Sequence, residues 1–296
     1  MRALVLVCLT LTLLAPAARA ELIIADSLEW IAQDSDLILR GKLVSVTRLP
    51  KKVNGYTWSK VTMSVAETLR GAHRRTRVFS VCDGHSPARW DKQRGEVLAF
   101  LVKPGRVQSG RGSEQRDIPK TLRKLPTARL SRTYSDWPVI NLDKVPREAA
   151  LGGRDFKVYK TRKAIKAAIM AAVRTPKQLA RSVTVDAPFD SGVFKALYSG
   201  SSVRLVLPLD SETEKLGLRW TRSPDVGQRV EAVKILRSFK SQANLKLLRS
   251  LLEDRGYYTT TRSDGKHSTR VYAVRRDACL ALRAWGVVTR CSGGQQ

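Results

Sequence analysis

The chain has 296 residues, with 54 lysines and arginines against 26 aspartates and glutamates, and a formal net charge of +28. Hydrophobic residues make up 43% and charged residues 27%, a globular composition that excludes a wholly disordered chain. Three histidines and four cysteines argue against elaborate metal or thiol chemistry, so we expect no metal and no cofactor. The length suffices for two modest domains.

The first twenty residues have the three parts of a secretory signal peptide. Met1 and Arg2 give a positive start, residues 3–14 are almost wholly apolar, and Ala18-Arg19-Ala20 matches a small-x-small cleavage site. We therefore expect export to the periplasm, the cell envelope or the medium. Removing residues 1–20 leaves a charge of +26 and no apolar run of the roughly 18 residues that a membrane span needs.

Residues 21–102 predict a β-rich module with one helix. The helix is expected over 21–34, where Ile24, Leu28 and Ile31 recur every three to four residues. Four strands follow, over 36–47, 56–69, 76–82 and 95–102. Their number and spacing suit a small antiparallel barrel or a sandwich, and the pattern does not choose between these two architectures.

The rest of the chain divides into four predicted regions. These are a basic linker or loop over 103–135, an α+β segment over 136–210, a helical region over 211–290 and a tail over 291–296. An amphipathic helix is expected over 161–174, and four more over 211–220, 225–239, 242–252 and 273–285, with a hairpin-like insertion within 257–272. The predicted fold class is therefore α+β.

One spacing recurs in the helical region. Arg229, Ala232 and Leu236 are followed, 46 residues later, by Arg275, Ala278 and Leu282, each set in the form R-x2-A-x3-L. A small alanine permits close approach of helices, and a leucine one turn later fills the core between them. This period resembles that of HEAT and armadillo repeats, which is about 40–47 residues. The resemblance implies HEAT-like packing over about 211–288; an unrelated small helical bundle is the alternative.

The chain also resembles exported bacterial proteins of uncharacterised function. The resemblance rests on the segments SDLILRGKLVSV, ETLRG and GEVLAFLV, followed by a helical region that ends near AWGV. It implies a β-rich module, a helical C-terminal region and an extracytoplasmic compartment, and it implies no reaction.

No motif identifies a specific reaction or a catalytic residue. Neither a P-loop nor a G-x-S-x-G element is present. Asp83, His85 and Asp91 form the alternative hypothesis, a secreted hydrolase-type enzyme with its site in the β-rich module; a strand-ending cysteine followed by an Asp-Gly turn explains the same residues. In an oxidising compartment we expect Cys279 and Cys291 to form the disulfide, if the cysteines are not simply unpaired thiols.

The positive charge is concentrated in the later regions. Residues 21–102 carry only +4, whereas residues 103–132, 154–181 and 226–290 carry +7, +8 and +9. Eight side chains are candidate ligand contacts: Arg162, Lys163, Lys166 and Arg174 on the polar side of the 161–174 helix, and Tyr257, Tyr258, Arg262 and Arg270 in the insertion. A solvated helix face and tyrosines packed on the last helix are the structural alternatives.

Together these features predict a non-enzymatic binding or scaffolding protein of the cell envelope. Clustered positive charge attracts polyanions, so the basic C-terminal half is expected to engage an anionic envelope polymer or a protein partner. Export and the absence of a nucleic-acid-binding motif argue against nucleic acid. A purely structural subunit of an envelope assembly is a third hypothesis.

Overall fold

The computed structural model describes residues 22–53, 55–82, 95–104, 118–128, 139–144, 151–174, 181–187, 202–261 and 268–291. The predicted α+β class is confirmed, because a closed five-stranded barrel precedes a helical C-terminal part. Within these ranges, no helix is long and apolar enough to cross a membrane.

Most of the described strands lie in the first half of the chain, and most of the helices lie in the second half. The strands are β1 Leu22–Asp26, β2 Leu37–Arg48, β3 Trp58–Arg70, β4 Thr76–Cys82, β5 Glu96–Val102, β6 Thr127–Ala128, β7 Val139–Asn141, β8 Leu151–Gly152, β9 Val158–Tyr159, β10 Ser182–Asp186, β11 Ser202–Pro208, β12 Tyr258–Thr261 and β13 Ser268–Val271. The helices are α1 Leu28–Asp34, α2 Arg162–Arg174, α3 Ser211–Trp220, α4 Val226–Leu236, α5 Gln242–Ser250 and α6 Ala273–Ala284.

The barrel closes in the strand order β2, β3, β4, β6, β5 and back to β2. Every neighbouring pair is antiparallel except β4 and β6, which run parallel where Ser80 meets Thr127. Alternate side chains fill the interior, as the period-two pattern of the sequence predicts. They are Leu37, Leu39, Val61, Met63, Val65, Phe79, Val81, Val97, Ala99, Leu101 and Ala128.

Closure depends on β2, which pairs with β3 on one side and β5 on the other. Gly41 lies at a register shift between β2 and β3, where a Cβ atom would overlap the Ser64 carbonyl oxygen. A glycine at this bulge lets the two backbones approach, so that β2 bends and pairs with both β3 and β5.

The helix predicted over 21–34 is wrong in its first half. Residues 22–26 form β1, which pairs in parallel with β11, and only residues 28–34 form a helix. Ser27 separates them, because its side chain caps α1 by accepting a hydrogen bond from the Trp30 amide at 3.1 Å. The start of the chain therefore joins a three-stranded sheet with β10 and β11.

Helix α2 covers the outside of the barrel, as its predicted apolar face requires. Ile165, Ile169 and Ala172 pack with residues of α1 and with the outward side chains of Leu98 and Phe100 on β5. The sheet β1–β11–β10 has a separate core against α3 and α4, in which Phe156 stacks on Trp220 with ring centroids 6.0 Å apart.

The predicted helices of the C-terminal region are confirmed with small differences at their ends. Helices α3, α4 and α5 start at side-chain caps: Asp210 accepts from Thr213 N, Asp225 from Gly227 N and Ser241 from Asn244 N. Helix α6 starts after Tyr272 without a side-chain cap. Helices α4 and α6 pack together, and the repeated leucines Leu236 and Leu282 lie in their shared core.

Of the region predicted as a linker or loop, the structure describes 103–104 and 118–128. Ile118, Leu122 and Leu125 pack with Trp58 and Cys82 at one end of the barrel. The segment then enters β6, so these residues are part of the barrel.

Candidate functional site

Two of the four candidate cations on α2 are engaged in ion pairs with the barrel. Arg162 pairs with Asp143 and lies 3.2 Å from Glu96, and Lys166 Nζ lies 2.6 Å from Glu67. Arg40 on β2 contacts the same two glutamates, at 2.9 Å to Glu67 and 2.5 Å to Glu96. The ion pairs with Lys166 and Arg40 hold the pKa of Glu67 below its usual value, against a smaller opposing effect of burial. These cations thus fasten α2 to the barrel.

The other two candidate cations on α2 remain available to solvent. Lys163 and Arg174 are exposed, and no described carboxylate pairs with either. Helix α2 therefore has two cations that pair with the barrel and two that are exposed.

The hairpin β12–β13 brings two sequence-predicted residues together. The Arg270 guanidinium lies over the Tyr257 ring, 4.7 Å from its centroid, and Tyr257 meets Tyr272 with centroids 5.8 Å apart. Arg275 covers Tyr272 in turn, at 4.3 Å. We call these four residues the arginine–tyrosine stack. The rings pack on each other at the start of α6, and Tyr257 remains 41% exposed.

The chemistry of the stack suits an anion. A guanidinium that lies flat on an aromatic ring keeps its N–H edges for other partners, and each such contact contributes about 0.5–1 kcal/mol at an exposed site. Arg270 is exposed and has no carboxylate partner among the described residues. Arg270 therefore rests on Tyr257 and is at the same time exposed to solvent.

Asp254 holds the inner end of the stack. Arg275 Nε donates to the Asp254 carbonyl oxygen at 2.5 Å, and Arg229 binds both carboxylate oxygens of Asp254 at 2.8 and 3.1 Å. The two repeated arginines of the sequence thus meet at one residue. Gly256 permits this arrangement, because a Cβ atom there would overlap Arg229 Nη2 and lie 2.8 Å from Val226 Cγ2.

Tyr258, another candidate of the insertion, is not part of the stack. Tyr258 is also 41% exposed, but its hydroxyl group lies close to Gly227 at the start of α4. Arg262 lies outside the described residues.

A second basic surface was missed by the sequence analysis. Residues 118–125 pack in the same apolar cluster as the β2–β3 loop and the start of β3, and we call the exposed cations of these segments the basic barrel end. It consists of the exposed residues Lys51, Lys60, Lys120, Arg123 and Lys124. Residues 48–60 and 118–128 contain no acidic side chain. The spacing of Ile118, Leu122 and Leu125 in a basic segment was the signal that this segment packs rather than links.

The cysteines and the hypothetical hydrolase site can be placed only in part. Cys279 of α6 and Cys291 are joined as a disulfide, with Cα atoms 5.7 Å apart, and Cys82 is buried at the end of β4. Asp83, His85 and Asp91 lie outside the described residues. Within the part of the chain that the structure describes, no group of three His, Cys, Asp or Glu side chains is arranged to hold a metal ion.

Comparison with protein-family models, curated proteins and solved structures finds no match to this chain.

Proposed function

We propose that the protein is an exported, non-enzymatic binding or scaffolding protein of the cell envelope, and that its basic C-terminal half engages an anionic envelope polymer. The signal-peptide pattern of residues 1–20 supports export. The cations of residues 226–290 outnumber the acids by nine, which supports an anionic partner.

The arginine–tyrosine stack is the observation that carries the proposal. An exposed guanidinium already oriented by a ring loses little freedom when it binds a carboxylate, sulfate or phosphate group. Tyrosine faces beside it add contact area for the sugar rings of a polysaccharide. Lys163 and Arg174 of α2 offer a long polymer two further exposed cations.

We further propose that the C-terminal helices pack in a HEAT-like manner and act as the rigid support of the stack. The equivalent positions of the repeat support this: Ala232, Leu236, Ala278 and Leu282 are all fully buried. Arg229 and Arg275 occupy equivalent positions of the repeat and both contact Asp254. The repeat therefore supplies one residue of the stack, Arg275, and the contacts that hold it.

The test measures retention on immobilised dextran sulfate and the salt concentration at which the protein elutes. We expect the protein to bind at low salt and to elute as salt rises, because counterions compete with exposed charge. Arg270→Gln and Tyr257→Ala should both elute earlier, the first by losing the donor group and the second by losing the ring that orients it.

Arg249→Gln is the matched control, since Arg249 is an exposed cation of the same half and contacts no ring among the described residues. It removes the same charge as Arg270→Gln and should shift elution less. Passage through the column at low salt, or identical elution of the two arginine variants, would contradict a role for the stack. Stoichiometric co-purification with an envelope protein would instead favour the scaffold hypothesis.

A further inference from the structure

A cavity lies between α1, α2, α3 and the turn at residues 154–156, and no residue of the stack lines it. Its volume is about 470 Å³, within the roughly 300–1,000 Å³ typical of small-ligand sites. Glu29, Arg154, Tyr159 and Asp210 give it polar walls, and Ala168 and Ala172 of α2 leave space where larger side chains would fill it.

The two inner carboxylates of the cavity, Glu29 and Asp210, accept hydrogen bonds from other residues of the protein. Glu29 is 6% exposed and accepts from the Tyr159 hydroxyl at 2.5 Å and from the Arg154 amide at 3.0 Å. Burial, reinforced by the neighbouring Glu29, raises the pKa of Tyr159 above its ordinary value, so the hydroxyl stays a donor. Asp210 accepts from Arg154 Nη2 at 2.6 Å, Gln33 at 2.7 Å and the Thr213 amide at 2.9 Å.

The two carboxylates at the mouth are also paired. Asp155 lies 2.8 Å from Arg219, and Glu212 lies 2.7 Å from Lys215. No acidic side chain that lines the cavity is therefore left to attract a cationic ligand.

The donors that remain are cationic. Arg154 Nε is buried and has no hydrogen-bond acceptor among the described residues. Lys157, at the mouth, is exposed and pairs with no described carboxylate. A buried guanidinium N–H without an acceptor is costly in a folded protein unless a ligand or water completes it.

The turn that carries these donors is strained. Asp155 and Phe156 have φ angles of 66° and 53°, in the left-handed region that residues other than glycine rarely adopt. The Asp155–Arg219 ion pair and the Phe156–Trp220 stack hold the turn in place. Such strain is concentrated at ligand-binding turns, because surrounding contacts must fix it.

We infer that this cavity binds a small organic anion carrying a carboxylate or a phosphate group, with Arg154 and Lys157 as its cationic contacts. The cavity shares no residue with the arginine–tyrosine stack, so we expect substitutions in the stack to leave it intact.

The test is calorimetric titration of the full chain with succinate, citrate, inorganic phosphate and glycerol 3-phosphate, supported by thermal shift. At least one anion should bind and raise the melting temperature, and the pattern of binding distinguishes a carboxylate ligand from a phosphate ligand. Lys157→Gln should weaken binding about tenfold, the value of one charge-assisted hydrogen bond. Ala168→Phe should abolish binding by filling the cavity.

Lys160→Gln is the matched control, because Lys160 is an exposed cation three residues from Lys157 that does not line the cavity. It should leave the affinity unchanged. The inference is overturned if none of the four anions binds at millimolar concentration, if the two lysine variants bind equally well, or if the diamine putrescine binds as tightly as the anions. Lys157 lies at an exposed position, so its variant keeps the test valid even if Ala168→Phe does not fold.

Discussion

Asp254 is the residue on which the two repeated arginines converge, and it links the helical core to the stack. Its side chain and that of Arg229 are only 10% and 13% exposed. We expect Asp254→Ala to lower the free energy of unfolding by about 3 kcal/mol, because it leaves the buried Arg229 guanidinium without its carboxylate. Urea denaturation measures this loss.

The neighbouring Glu253 supplies the control for that substitution. Glu253 is exposed and has no ion-pair partner among the described residues, so Glu253→Ala should change stability little. Equal denaturation midpoints for the two variants would show that the convergence on Asp254 contributes no stability. The repeat predicted buried alanines and leucines at matching positions, but it gave no sign that the arginines share a partner, because Asp254 lies outside the repeated pattern.

At the level of elements, helix α2 is attached to the barrel partly by charge. The pKa of Glu67 is lower in the folded protein than its ordinary value of 4.5, mainly because of Lys166. Protonation of Glu67 therefore favours the unfolded chain. This contribution to stability is present above about pH 4.5 and is lost as the pH falls through the lower folded-state pKa.

We therefore expect Glu67→Gln to be less stable than the parent protein at neutral pH and to lose less stability on acidification. The measurement is the urea midpoint as a function of pH, with Glu253→Gln as the control for removal of a solvated carboxylate. Parallel curves for the parent protein and Glu67→Gln would mean that the contact with Lys166 adds nothing to the attachment of α2.

Elements with local signals were the ones that the sequence predicted well. Helices α3 and α5 begin where Asp210 and Ser241 supply caps, and apolar spacing defines their buried faces. Strand β1 was predicted as helix because its apolar spacing continues that of α1, and its partner β11 lies about 180 residues later in the chain. The cavity escaped prediction for a similar reason: Glu29 and Tyr159 are 130 residues apart in sequence.

Across the whole molecule, folding redistributes the positive charge that the sequence shows. Cations assigned to a linker lie on the barrel, and two of the α2 cations are neutralised by barrel glutamates. Besides Lys163 and Arg174 of α2, the protein thus presents exposed cations in the arginine–tyrosine stack and at the basic barrel end. A long polyanion that contacts both would release counterions at both. The slope of log affinity against log salt therefore reports the number of contacts.

Substitutions at the arginine–tyrosine stack and at the basic barrel end distinguish the contacts that each makes. For soluble dextran sulfate, replacing Lys51, Lys120 and Lys124 by glutamine should reduce the slope of log affinity against log salt by about one per lost contact. The control replaces Lys160, Lys246 and Arg249, which are exposed cations outside both surfaces. If both triple variants reduce the slope equally, the polymer responds to net charge alone. A slope changed by Arg270→Gln but not by the barrel variant would confine binding to the stack.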